Sequence, residues 1–144
     1  MYVSTFLIVL LTIFVGGSQS GSDKKFISPP GTKPGGNYSQ GILTGGTLYV
    51  SGQGGEDAAG KIPADFDAEV KQSFDNIGAV LKAGGMSPAD VVSVQVYLND
   101  RSKFDRMNAL YREYFKEPRP TRTTVVVASL VGPGNVEITV TARK

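Results

Sequence analysis

The sequence predicts an α+β domain in which two helices cover one face of a mixed sheet. Three observations predict it. Two segments place apolar residues every third or fourth position, several others alternate apolar with polar residues, and the two kinds interleave as ββ, α, β, α, ββ, with one more short strand near Phe26. An order of that kind leaves one sheet face uncovered, and oligomerisation is the simplest way to hide it.

The elements follow in chain order. Ile42-Leu43, the turn Thr44-Gly45-Gly46 and the run Thr47–Ser51 read as a hairpin, because the glycine pair supplies the positive φ angles of a tight turn. Gly52 to Ala64 reads as a loop. From Asp65 to Ala83, Phe66, Val70, Phe74, Ile77 and Leu81 mark one face of a helix, which Gly84-Gly85 ends. Ser87 and Asp90 have capping-box spacing before a strand in which Val92, Val94, Val96 and Leu98 alternate with Ser93, Gln95 and Tyr97. Ser102 and Asp105 repeat that spacing before a second amphipathic helix through Phe104, Met107, Leu110 or Tyr111, and Tyr114. Pro118 and Pro120 stop it. Strands at 122–127 and 136–143 follow, separated by Val131-Gly132-Pro133-Gly134-Asn135.

Composition removes several function classes. The 144 residues suit one domain, and 40% hydrophobic with 19% charged residues is ordinary for a globular chain. The net charge of +2 comes from 15 basic and 13 acidic residues that are well interspersed, with no basic run and no stacking surface, so nucleic acid is not an expected partner. There is no histidine, cysteine or tryptophan. Zinc, copper and iron–sulfur sites therefore lose their usual ligands, and no metal is expected. Cysteine nucleophiles and Ser-His-Asp triads are excluded too, leaving acid–base work to Asp, Glu, Tyr, Lys, backbone groups or water.

Residues 6–15, Phe6-Leu7-Ile8-Val9-Leu10-Leu11-Thr12-Ile13-Phe14-Val15, form an apolar run of signal-peptide length, too short for a comfortable membrane span. Small residues follow, so residues 1–20 read as a secretory signal cleaved after Ser20, leaving a domain over 21–144. No Lys or Arg precedes the run, which keeps an uncleaved anchor and a misassigned start as alternatives. Export to a periplasmic or external space follows from a working leader, and a cytoplasmic location from a non-functional one.

Chemistry concentrates near the end of the chain. Pro118-Arg119-Pro120-Thr121-Arg122-Thr123-Thr124-Val125 leads into a β-branched strand, and Glu137 stands fifteen residues past Arg122 in Val136-Glu137-Ile138-Thr139-Val140. A fixed guanidinium holds a carboxylate through two parallel hydrogen bonds, and a glutamate can activate water. From position alone, each is equally a solvated strand residue. Gly52-Gln53-Gly54-Gly55 is glycine-rich but lacks a following Lys-Ser/Thr and the dinucleotide spacing, so it is not a phosphate loop.

Together with Gly36-Asn37-Tyr38-Ser39-Gln40-Gly41 and Val50-Ser51-Gly52-Gln53, these blocks stand in the order and at the spacings of the Rid family (reactive intermediate deaminases, YjgF-like), which the chain resembles from about Phe26 to Lys144. The resemblance implies a chorismate-mutase-like fold, a homotrimer with a central barrel of sheets, and sites in clefts between subunits. It implies cofactor-free hydrolysis of 2-aminoacrylate-type enamines and 2-imino acids to 2-keto acids and ammonia. It puts the substrate-carboxylate arginine at Arg122 and the water-activating glutamate at Glu137. Tyr38, Ser51 and the backbone of Gly52 would line the pocket, with main-chain contacts from Thr124. Asn37, Thr124, Ser129 and Val131 depart from the commonest family residues; none removes the Arg122–Glu137 pair, and together they bear on substrate preference.

Two rival readings come from other classes. One is a binding module that holds a 2-keto acid or short fatty acid without turnover, which would not require Glu137. The other is the ribonuclease or translation-inhibitor activity attributed to some relatives, against which the lack of histidine and of a basic groove argues. A leader also conflicts with the cytosolic origin of 2-aminoacrylate, so an exported chain would need an imino acid made outside.

Overall fold

The computed structural model describes residues 23–32 and 36–144; the expected leader lies outside the described residues. The strands are β1 (Lys25–Ile27), β2 (Gly41–Thr44), β3 (Thr47–Gln53), β4 (Val91–Leu98), β5 (Thr121–Val126) and β6 (Val136–Arg143). They form one sheet in the order β1-β2-β3-β6-β4-β5. All neighbours are antiparallel except β4 and β5. That parallel pair requires a long crossover, and the chain supplies it as helix α2 (Phe104–Tyr114). The first helix, α1 (Phe66–Ala83), connects β3 to β4 by way of a short 3-10 turn at Pro88–Asp90. The α+β expectation holds, with two helices on one face of a mixed sheet.

Local chemistry sets the element ends. Asp65 caps α1 by accepting a hydrogen bond from the Ala68 N–H at 2.9 Å, and Asp67 and Glu69 add negative charge to the positive end of the helix dipole. That bond holds the exposed Asp65 carboxyl below the usual carboxylate range. Gly85, at φ +73°, turns the chain out of the helix, and Gly45 and Gly46, at +53° and +73°, form the β2–β3 turn. Ser87 and Asp90 make the expected capping box. At α2 the expectation fails: Asp100 caps a 3-10 turn over Arg101–Lys103 by accepting from the Ser102 N–H at 2.8 Å, and α2 follows from Lys103 with no side-chain cap of its own.

The core forms where alternate residues of β3, β4 and β6 meet the apolar stripes of the helices. Leu48, Val50, Val94, Val96, Leu98, Ile138 and Val140 pack against Val70, Phe74, Ile77, Leu81, Met107 and Phe115. Phe74 stacks on Tyr114 with centroids 4.5 Å apart, and the Phe115 ring stands edge-on to both. Burial raises the Tyr114 hydroxyl to about 12, with a further rise from nearby Asp75.

Two departures from expectation matter for the site. Strand β3 extends through Gln53, into the segment expected as loop, because a register shift between Val50 and Gln53 lets the chain stay paired with β6. Glu69, a charged residue on α1, is fully buried. Its carboxylate accepts hydrogen bonds from Nδ2 of Asn135 at 2.6 Å, from the N–H of Asn135 and from the N–H of Val136 at 3.3 Å. It therefore ties the start of β6 to the first helix.

Replacing Glu69 with alanine strands those buried donors and opens a cavity. A loss of about 3 kcal/mol or more is expected, read as a lowered urea midpoint with unchanged slope. Lys71→Ala, at an exposed position on the same helix, should change stability by less than about 0.5 kcal/mol.

Candidate functional site

In β6 the side chains of Val136, Ile138, Val140 and Ala142 are buried toward the helices, so Glu137, Thr139 and Thr141 point to the other face of the sheet. Glu137 is the residue of that face nearest the irregular end of β3. Its carboxylate lies on the backbone of Gly52: a Cβ built at Gly52 would overlap Oε1 and lie 2.8 Å from Cδ of Glu137. Only glycine allows that approach.

Around this contact lies a cleft of about 800 Å³, whose lining includes Tyr38, Ser51, Gly52, Glu56, Asn76 and Glu137. Four of the sequence-predicted residues, Tyr38, Ser51, Gly52 and Glu137, thus come together. Tyr38 is 57% exposed at this cleft. The Ser51 hydroxyl donates to the Ser39 carbonyl at 2.6 Å, so it holds the Tyr-Ser-Gln segment in place as well as lining the cleft.

The floor of the cleft is held by residues that sequence reasoning missed. Gln53 donates to Oε1 of Gln40 at 3.1 Å and to the Ser51 carbonyl at 3.0 Å. From α1, the Ser73 hydroxyl donates to the Gln53 carbonyl at 2.8 Å, and Nδ2 of Asn76 donates to the carbonyls of Gly54 and Glu56 at 3.0 and 2.9 Å. Gln72 orients Asn76 through a bond of 3.0 Å to its Oδ1. A signal was available: Glu69, Gln72, Ser73 and Asn76 recur at three- and four-residue spacing beside the apolar stripe of α1, which makes a second, polar face.

Arg122 and Thr124 are elsewhere in the chain. Arg122 pairs with Val94 and Thr124 with Val96, both core residues, so these side chains lie on the helix side of edge strand β5. The Arg122 guanidinium rests 4.5 Å from the centroid of the Tyr111 ring, a cation–π contact. The Thr124 Oγ1 is buried with no hydrogen-bond partner among the described residues. Glu137, in contrast, pairs with Tyr97 on the opposite face. Arg122 and Glu137 therefore do not meet within one chain. Among the described residues, the cleft lining holds Glu56, Asp57 and Glu137 but no Lys or Arg. Arg122 makes no ion pair among the described residues.

This arrangement can be compared with known proteins. The endoribonuclease L-PSP family model matches residues 30–144. A RutC family protein of Sulfurisphaera tokodaii is 41% identical over 114 residues, which is 78% of this chain and 91% of that protein. A protein of Bos taurus named 2-iminobutanoate/2-iminopropanoate deaminase is 42% identical over 105 residues, covering 72% of this chain and 77% of its own. Among solved structures, RidA from an Antarctic Psychrobacter superposes with a TM-score of 0.77 at 37% identity, covering 83% of this chain and 99% of that one. With a family match over most of its length and relatives at about 40% identity, the chain belongs to the endoribonuclease L-PSP family, the YjgF/Rid group.

Proposed function

We propose that the chain is a cofactor-free 2-iminobutanoate/2-iminopropanoate deaminase whose site is completed by a second copy in a homotrimer. One observation carries the reading. Among the described residues, the cleft has a carboxylate poised on a glycine and no cation in its lining, while an unpaired arginine stands on the edge strand of the same chain. A substrate that carries a carboxylate needs both, and two copies supply both. The uncovered sheet face favours such an assembly. Tyr49 is 53% and Val125 40% exposed there, in register with Thr141 and with Tyr97. The relative named as a deaminase supports the reaction class.

The chemistry runs as follows. A 2-aminoacrylate-type enamine tautomerises to its 2-imino acid. Arg122 of one copy grips the carboxylate through a charge-assisted pair of hydrogen bonds, with the unpartnered Thr124 hydroxyl beside it. Glu137 of the neighbouring copy accepts a proton from water as the oxygen attacks the imine carbon. The resulting carbinolamine takes a proton on nitrogen and collapses, breaking the C–N bond to release ammonia and a 2-keto acid such as pyruvate. Imines already hydrolyse in water, so positioning provides most of the acceleration. A receptor that only binds 2-keto acids would gain nothing from a carboxylate laid against Gly52.

The test is pyruvate formation from 2-aminoacrylate, generated from serine, measured against semicarbazide trapping with the purified chain. Arg122→Ala and Glu137→Ala should each lower kcat/KM by roughly 10²-fold or more, about 2.7 kcal/mol of transition-state stabilisation. A folded parent that fails to accelerate hydrolysis of several imino acids would sink the enzyme reading.

Two further outcomes probe the geometry. Gly52→Ala displaces the end of a flexible side chain rather than backbone. It should therefore unfold within a few degrees of the parent while losing roughly tenfold or more in kcat, as Glu137 swings from its seat. Equal mixing of Arg122→Ala and Glu137→Ala subunits by reversible dissociation should restore about a quarter of the parent activity, since a trimer with shared sites then regains intact pairs. No recovery on mixing would show that each chain works alone.

A further inference from the structure

A second cavity, of about 310 Å³, opens between α2 and β5 and is lined by Asn108, Tyr111, Arg112, Arg119, Pro120 and Arg122. Three arginines thus line one small space. Asn108, Tyr111 and Arg112 lie at i, i+3 and i+4 on one face of α2, which is how the helix brings them to the edge strand. Arg112 and Arg122 have no ion-pair partner among the described residues, and the partner of Arg119, Glu117, is 72% exposed. The Arg119 Nε–H donates to the Phe115 carbonyl at 3.1 Å, which fixes the direction of its fork.

The neutral lining points the same way. Tyr111 is only 3% exposed, yet its hydroxyl has no hydrogen-bond partner among the described residues; Asn108 Oδ1 is likewise buried and unpartnered among them. Burial raises the Tyr111 pKa, opposed by the charges of Arg122 and Arg119, so the phenol stays a neutral O–H donor. A turn of the Asn108 amide would offer N–H donors as well. One substrate carboxylate requires one bidentate arginine. Three arginines with a spare buried donor exceed that need, and a second anionic group would offset their mutual repulsion.

We infer that this cavity binds a second acidic group, and that the chain prefers imino acids whose side chain carries a carboxylate. Arg122 takes the carboxylate beside the imine, while Arg119, Arg112 and the Tyr111 hydroxyl take the distal one. The inference rests on the deaminase reading for its substrate class, but its ligand geometry can be tested apart from turnover.

The stable probes are the 2-keto acid products 2-oxoglutarate and 2-oxobutanoate, which have and lack the second carboxylate. Their dissociation constants are measured by calorimetry on the full chain, with inorganic phosphate as a third arm. The expected result is roughly tenfold or greater preference for 2-oxoglutarate, which falls to about twofold or less in Arg112→Gln/Arg119→Gln. Arg112→Lys/Arg119→Lys should keep part of it, because the charge remains while the planar fork is lost. Equal affinities in the parent, or a preference that survives the glutamine pair, overturns the inference. Phosphate binding that depends on Arg112 and Arg119 without any dicarboxylate preference also overturns it, in favour of an inorganic-anion site. Turnover of 2-iminopropanoate with no dicarboxylate preference leaves the deaminase reading intact. A preference without turnover of any imino acid does the reverse.

Discussion

Glu69 decides where β6 begins, and through it where Glu137 points. Its buried carboxylate accepts from the two N–H groups that open the strand and from the Asn135 side chain. Side chains alternate along a strand, so a slip of one residue would drive Glu137 into the core and turn Val136 out. A buried charge is costly unless its lone pairs are met, and here three donors meet them. The same constraint sets a glycine requirement of its own: a Cβ at Gly55 would press on Cγ and the carbonyl of Glu69, and one at Gly134 would come within 2.9 Å of Oε1.

Helix α1 therefore has two tasks on two faces. Its apolar stripe closes the core, and its polar stripe, Glu69, Ser73 and Asn76, secures the loops on either side of the cleft. Ser73 and Asn76 hold the carbonyls just past the β3 irregularity, while Glu69 holds the end of the β5–β6 connection. Gly52 and Glu137 are brought face to face from these two sides. The close approach is thus a property of the helix–sheet frame and not of either loop alone.

The helix stripes, the β2–β3 turn, the Ser87–Asp90 box, the alternation of β6 and that of β4 from Val94 onward were legible in the sequence because each depends on residues a few positions apart. The Gly45-Gly46 turn is a good instance: positive φ at both positions is a local demand that glycine meets. Val92, expected on the core face, is 47% exposed and Val91 is buried instead, because the pairing with β6 shifts between Val91 and Ser93. Ser102 shows the limit of such reading. Its spacing matched a capping box, but Asp100 caps a 3-10 turn ahead of α2 and draws in the Ser102 N–H, so α2 starts without a side-chain cap. The loop expected from Gly52 onward shows another limit, since pairing across the Val50–Gln53 register shift depends on β6, more than eighty residues later in the chain.

By itself the sequence determined the fold class and the family and named the candidate site residues, because these reside in periodicity and in short blocks of fixed order. Tertiary structure alone decided how those residues are apportioned. Arg122 and Glu137 are fifteen residues apart and look like a pair, yet β4 lies between their strands and they project from opposite faces of the sheet. It also decided that Tyr111, an ordinary core position by helical spacing, lies beneath the Arg122 guanidinium with its hydroxyl unpartnered among the described residues. The physical reason is the same in both cases: which face a strand residue occupies, and what stands across from it, depends on the register of strands and helices distant in sequence.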